Sequence, residues 1–261
     1  MSNFAIRVAS VEDQAAVHDV CLWALLPVDM EDHAGLERLL WRTAGIVGLV
    51  AEWEGSVVGA GFGTVTKKAD ETISGAITIL AVDPDRSRRS VGAALLTALE
   101  QELRELGASE IWTGGGQPRF WWPGVDESCA GTIRFFERAG YVRDDDAVNM
   151  RVVLSDADLA ARAPCALTIH RLSASEWPAF SEWMERTWED PWGAEVQTTM
   201  DRSPVSCFVA ERDRSYVGFA AYDTNRRSWF GPMGSSPEAR DRGSVGSCCA
   251  TACVIMSIRV G

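Results

Sequence analysis

Apolar and polar positions alternate over residues 4–8, FAIRV, as they do along a half-buried strand. Ser10-Val11-Glu12-Asp13 follows, a helix N-cap with acids in the first turn, and AAVHDVCLWALL then continues with amphipathic spacing. GLVAEWEGSVVGAGFGTV reads as two strands joined at a polar turn. ITILAV, residues 77–82, is a β-branched apolar run that predicts a buried strand. DPDRSRRS predicts a turn. VGAALLTALEQELREL predicts a helix whose apolar stripe is Val91, Leu95, Leu96, Leu99, Leu103 and Leu106. SEIWTGGG, residues 109–116, predicts a fifth strand ending in three glycines. GTIRFFERAGY, residues 131–141, predicts a late helix, and VNMRVVL a closing strand.

The pattern then starts again. LTIHR, residues 167–171, alternates like FAIRV, and Ser173-Ala174-Ser175-Glu176 is a second capping box. VAERDRSYVG, from residue 209, matches VAEWEGSVVG, from residue 50, in six of ten letters at an offset of 159. Both copies carry R-x-R-x-S-V-G, at Arg86 to Gly92 and Arg240 to Gly246. Agreement in order as well as spacing predicts an internal repeat, with a boundary in the Ala-rich stretch of residues 155–166. The expected domains are 1–155 and 166–261.

Bulk properties narrow the function. The 261 residues suit one large or two ordinary domains. A net charge of −12 makes nucleic acid and anionic membrane poor partners. The start has no signal pattern, and CLWALLPV is far too short to span a bilayer. Seven scattered cysteines point to free thiols and a reducing, cytoplasmic compartment. Cys248, Cys249 and Cys253 cluster without an evident fourth ligand, so buried thiols are expected there and no metal.

The Arg-turn carries the candidate chemistry. A strand feeding a short turn into a helix leaves the first helical amides without internal partners. They and the helix dipole favour an anion by roughly 0.3 to 2 kcal/mol. Gly92 lets a ligand approach the backbone, and Arg86, Arg88 and Arg89 add positive charge to an acidic chain. The physical expectation is a pyrophosphate cradle; the stretch alone leaves open an ordinary connection with solvated arginines.

The arrangement resembles the GNAT superfamily of acyl-CoA-dependent N-acyltransferases. Leu80, Val82 and Pro84 match that family's strand pattern, and Ser87 to Gly92 occupy its phosphate-binding turn. The resemblance implies an α/β fold with a mixed sheet: one complete GNAT domain followed by a partial second repeat, as in tandem members. It implies acetyl-CoA as co-substrate, held by Leu80, Ala81, Val82, Arg88, Arg89, Ser90, Val91, Gly92 and Ala93, and acetyl transfer to a small-molecule primary amine. Ser87 and Ser90 depart from the pattern, where Gln or Arg and Gly are usual. Ser90 is a poorer choice than glycine if positive φ is needed there. The late-helix Tyr that can protonate the leaving thiolate is Phe136 here, and Tyr141 is expected in the core.

Two acids are candidate bases. Glu52 recurs in both copies, which suits pairing across the sheet. Asp126 and Glu127 follow Phe120, Trp121 and Trp122, which could wall an amine or amino-sugar site, and Glu127 is the catalytic candidate there. The second copy has only 15 residues after Gly246. A truncated or frame-shifted tail is expected, the alternative being a natural half-domain that leans on the first copy or on a partner chain, with an uncovered strand edge that favours a homodimer. The competing function is a non-catalytic CoA-binding or structural module.

Overall fold

A computed structural model describes residues 4–68, 70–85, 90–116, 120–151, 167–188 and 192–242. The chain divides into two compact units, Met1–Val148 and Asn149–Gly261. In the first, β1 (Phe4–Val8), β2 (Val47–Trp53), β3 (Ser56–Lys67), β4 (Ile73–Val82) and β5 (Glu110–Thr113) form one sheet in that spatial order. All neighbours are antiparallel except β4 and β5. Helices α1 (Gln14–Ala24) and α2 (His33–Arg42) cover one face, and α3 (Val91–Glu105) and α4 (Ala130–Arg138) the other. Val50, Ala60 and Phe62 point to the first core, Leu49, Ala51 and Val58 to the second, as alternation along each strand requires.

The predicted elements form, with three differences. Leu106 ends α3 and is 47% exposed, so the buried stripe stops at Leu103. Residues 141–151 form no strand: Val142, Val148 and Met150 all face solvent, with no partner strand beside them among the described residues. Residues 152–154 of the expected closing strand lie outside the described residues. Helix α2 was not anticipated.

The first capping box forms. Ser10 N donates to Asp13 Oδ2 at 2.8 Å, and Arg7 grips Asp13 through both terminal nitrogens while its Nε donates to Glu52 at 2.9 Å. The Arg7 hydrogen bonds hold the Asp13 carboxyl down at about 2. A folded value below the unfolded one gives stability that is complete above roughly pH 4 and lost as pH falls through 2. Asp13→Asn should therefore cost about 1–2 kcal/mol at neutral pH, allowing for the exposed Arg7. Denaturant titrations should show that difference vanishing toward pH 2.

In the second unit, β6 (Thr168–Arg171), β7 (Cys207–Arg212), β8 (Ser215–Tyr222) and β9 (Phe230–Ser235) form an antiparallel sheet. Helices α5 (Trp177–Thr187) and α6 (Trp192–Gln197) pack on one face through Phe180, Met184, Val196 and a set of tryptophans. The register repeats that of the first sheet. Ala5 faces Glu52 and Thr168 faces Glu211; the ladder shifts between Ala51 and Glu52, and again between Ala210 and Glu211. Each hairpin turns on two residues with positive φ, Glu54-Gly55 and Asp213-Arg214. Among the described residues no helix is long and apolar enough to cross a membrane.

Candidate functional site

The parallel ladder of β4 and β5 runs from Ser74 opposite Glu110 to Ile77 opposite Thr113, and Gly114 N closes it on Ile77 O at 3.0 Å. Among the described residues, strand β4 continues without a partner on that side to Val82. One extra residue interrupts it: Phe62 faces Ile79 while Gly63 faces Ile77, so Thr78 is a bulge. The bulge reverses the alternation. Ile77 packs toward α3, whereas Ile79, two residues on, packs toward α1. Asp83 N donates to Val58 O at 2.9 Å, so the amides of Ala81 and Asp83 aim at β3. Those of Leu80 and Val82 then aim into the gap beside β5.

Helix α3 opens at the far end of β4. Its cap residue, Ser90, has φ 65° and ψ 7°, in the left-handed region, and its side chain makes no capping bond. The first intrahelical bond is Ala94 N to Ser90 O at 3.0 Å. The amides of Val91, Gly92 and Ala93 precede it and have no intrahelical acceptor. A Cβ placed on Gly92 would meet Val82 and Phe135 only at 3.6 and 3.7 Å, ordinary contacts, so the protein's own packing does not demand glycine there. Ser90 does sit where glycine would be relaxed. Ser90→Gly should raise stability by about 1 kcal/mol, read as a Tm increase of roughly 2–4 °C. Arg88 and Arg89, with Arg86, lie outside the described residues.

Past β5, Gly114, Gly115 and Gly116 all take positive φ. A Cβ on Gly114 would fall 2.7 Å from the Gly124 amide nitrogen, and Gly115 N donates to Trp122 O. The three glycines thus fold the following loop onto the sheet. A cavity of about 230 Å³ lies under that loop, lined by Thr66, Ser74, Trp112, Phe120 and Pro123 among others.

The three loop aromatics have different fates. Phe120 is 41% exposed and lines the cavity. Trp121 is fully buried among the α1 and α2 core residues, so it does not form a wall with its neighbours. Trp122 donates from Nε1 to Asp29 Oδ1 at 2.7 Å. Sequence reading missed Thr64 and Thr78, two buried threonines beside Gly116; Thr64 Oγ1 has no hydrogen-bond partner among the described residues. The available signal was a hydroxyl residue inside an apolar strand run.

The candidate acids separate. Glu52 sits on β2, two strands from β4, and is held by Arg7, which gives it a part in the fold rather than at the gap. Asp126 accepts from Ser128 N and Oγ at 2.9 and 2.5 Å, which lowers its pKa. Glu127 is exposed in the turn before α4. Phe136 is buried. Tyr141 donates to Glu100 Oε1 at 2.9 Å, and burial followed by that carboxylate pushes its phenol well above the usual range. Neither aromatic presents a proton to the gap.

A strand gap with inward amides, meeting an uncapped helix start, is joined by a family match: the GNAT acetyltransferase family model covers residues 18–141. Residues 18–141 are a GNAT acetyltransferase domain. The GNAT domain has a mixed α/β sheet, as its sequence led us to expect. Among solved structures, a GCN5-related glucosamine N-acetyltransferase region of a fungal multi-domain GH3 β-N-acetylglucosaminidase is similar over 100% of this chain. Its identity is 18% and its TM-score 0.76. The chain spans 35% of that protein's length. An aminoglycoside acetyltransferase from an uncultured soil metagenomic sample aligns over 59% of this chain and 97% of its own. There the identity is 19% and the TM-score 0.45. No curated protein matches the chain.

Proposed function

We propose that the first unit transfers an acetyl group from acetyl-CoA to a primary amine of a small molecule, by direct attack in a ternary complex. The observation that carries this is the pairing of the β4 gap with the uncapped start of α3. The amides of Val91, Gly92 and Ala93, with Ser90 as the turn residue, would hold the diphosphate. Arg88 and Arg89 are candidates to reinforce it. The amides of Leu80 and Val82 would hold the pantetheine arm and polarise the thioester carbonyl, with Ala81 fixing the strand between them. With Phe136 in the core and Tyr141 bound to Glu100, acceleration comes from orientation and carbonyl polarisation, and the departing thiolate takes its proton from solvent. Glu127 follows the cavity loop and is the candidate to receive a proton from the amine.

An amino sugar is the acceptor class we favour. Trp112 and Phe120 offer apolar faces, Thr66 and Ser74 offer hydroxyls, and the similar fungal region is a glucosamine N-acetyltransferase by name. Calorimetry with acetyl-CoA, then thiol release over a panel of amines, tests the reading. Turnover on amino sugars supports it, and Phe120→Ala should raise KM without lowering Tm. Acetyl-CoA binding without turnover on any amine would favour a non-catalytic CoA module, and absence of binding would remove both.

We further infer that the second unit is a partial copy of the same fold. The shared register, the shared ladder shift and the shared two-residue turns support this. Glu238 and Ala239 lie in a short helical turn after β9, where the Arg-turn recurs. Residues 243–261, which include the expected α3 counterpart and Cys248, Cys249 and Cys253, lie outside the described residues. A homodimer, a cytoplasmic setting and the absence of nucleic-acid partners remain parts of the proposal; light scattering tests the first.

A further inference from the structure

The two units place different chemistry at one equivalent position. In the first, the Arg7 guanidinium lies between two carboxylates, Asp13 and Glu52, and donates to both. In the second, the register puts His170 where Arg7 stands, Glu176 where Asp13 stands and Glu211 where Glu52 stands. A guanidinium has five donors and a permanent charge. An imidazole has two ring nitrogens rather than five donors, and one ring nitrogen cannot serve both acids. His170 Nε2 meets Glu176 Oε1 at 2.7 Å, and a ligand atom from each of the three residues lies within 4.8 Å of the others.

We propose that His170, Glu176 and Glu211 bind one divalent transition-metal ion, zinc by preference, which takes the place of the first unit's guanidinium. One imidazole and two carboxylates suit Zn²⁺ or Co²⁺. Two glutamates and a divalent ion sum to zero, whereas two acids and one arginine leave one negative charge in the first unit. The side chains of His170 and Glu176 are 31% and 30% exposed, so an ion can enter and a water complete the coordination. Glu176 is pre-set for the task. Its Oε2 accepts from Ser173 N at 2.9 Å as part of the capping box, which leaves Oε1 facing the imidazole. Glu211 is fixed by its ladder positions between Thr168 and Tyr216. The ion would pin β6 and β7 to the start of α5, as Arg7 pins β1 and β2 to the start of α1.

Coordination through Nε2 puts the ring proton on Nδ1, a buried atom without a hydrogen-bond partner among the described residues. Metal-binding imidazoles usually have such a partner, worth roughly tenfold to a hundredfold in affinity. Micromolar rather than tighter binding is therefore expected. The proposal is independent of the acetyl-transfer reading.

Equilibrium dialysis of the full chain with Zn²⁺, reduced and with free thiols alkylated, is the test. The wild type should bind one equivalent that His170→Arg lacks, and Zn²⁺ should raise the wild-type Tm but not that of the variant. His170→Arg restores the first unit's arrangement and so should fold. Glu211→Gln, a near-isosteric change, should weaken the same equivalent tenfold or more. Co²⁺ should give a visible spectrum without thiolate charge transfer in the wild type alone. Equal metal uptake by wild type and both variants, or no uptake by the alkylated wild type, would overturn the proposal.

Discussion

Ala93→Glu should abolish acetyl-CoA binding while leaving the GNAT domain as stable as before, or slightly more so. Ala93 is exposed at the third helical position of α3, three residues after Ser90, so the substitution writes a capping box into the chain. A carboxylate there accepts from the amides that would otherwise face the diphosphate, and it complements the helix dipole by a few tenths of a kcal/mol or more. For the ligand the sign is opposite. A unit negative charge about 4 Å from a phosphate costs on the order of 4 kcal/mol at a surface-like dielectric, which is several hundredfold in affinity. Calorimetry should show the loss, and a thermal melt should show Tm unchanged or raised. Unaltered acetyl-CoA affinity would mean that the diphosphate lies elsewhere.

Trp121→Ala should be the most damaging single truncation in the first unit. Trp121 is the largest fully buried side chain among the described residues, and its ring lies against Gly35 of α2 closely enough that a Cβ there would come within 2.7 Å. Removing it leaves a hole bounded by both covering helices and should cost about 3–5 kcal/mol. For a domain of this size that is a Tm drop of roughly 10 °C or more. If Trp121 instead formed a wall for the acceptor, the variant would keep its Tm and lose affinity for amines. The contrast with Phe120→Ala separates the two adjacent aromatics.

Those neighbours show where sequence is informative. FAIRV, ITILAV and the Val91–Leu103 stripe are read correctly because strand alternation and helical spacing are local properties. The two capping boxes, Ser10 with Asp13 and Ser173 with Glu176, are legible for the same reason. Phe120 and Trp121 cannot be told apart this way, since which of them turns inward depends on the Gly114–Gly116 backbone folding the loop back. The shift at Thr78 is equally hidden: it exists only in the register between β3 and β4. At Ser90 the sequence shows only that glycine is usual, while the positive φ itself is a property of the folded backbone. VNMRVVL read as a strand because its residues favour one, but residues 148–151 have no partner strand among the described residues.

Beyond the interruption at Thr78, the length of β4 is as exacting as its composition. Deleting that single codon would close the bulge and make the β3 partners consecutive, yet Ile79 and Ala81 would still face α1 and Leu80 and Val82 still face α3. What would go is the local bend and added twist that an extra residue gives a strand. An insertion or deletion between Ile79 and Val82 is the change that would exchange the two faces, and homologous chains are expected to vary in length at Thr78 more readily than just beyond it.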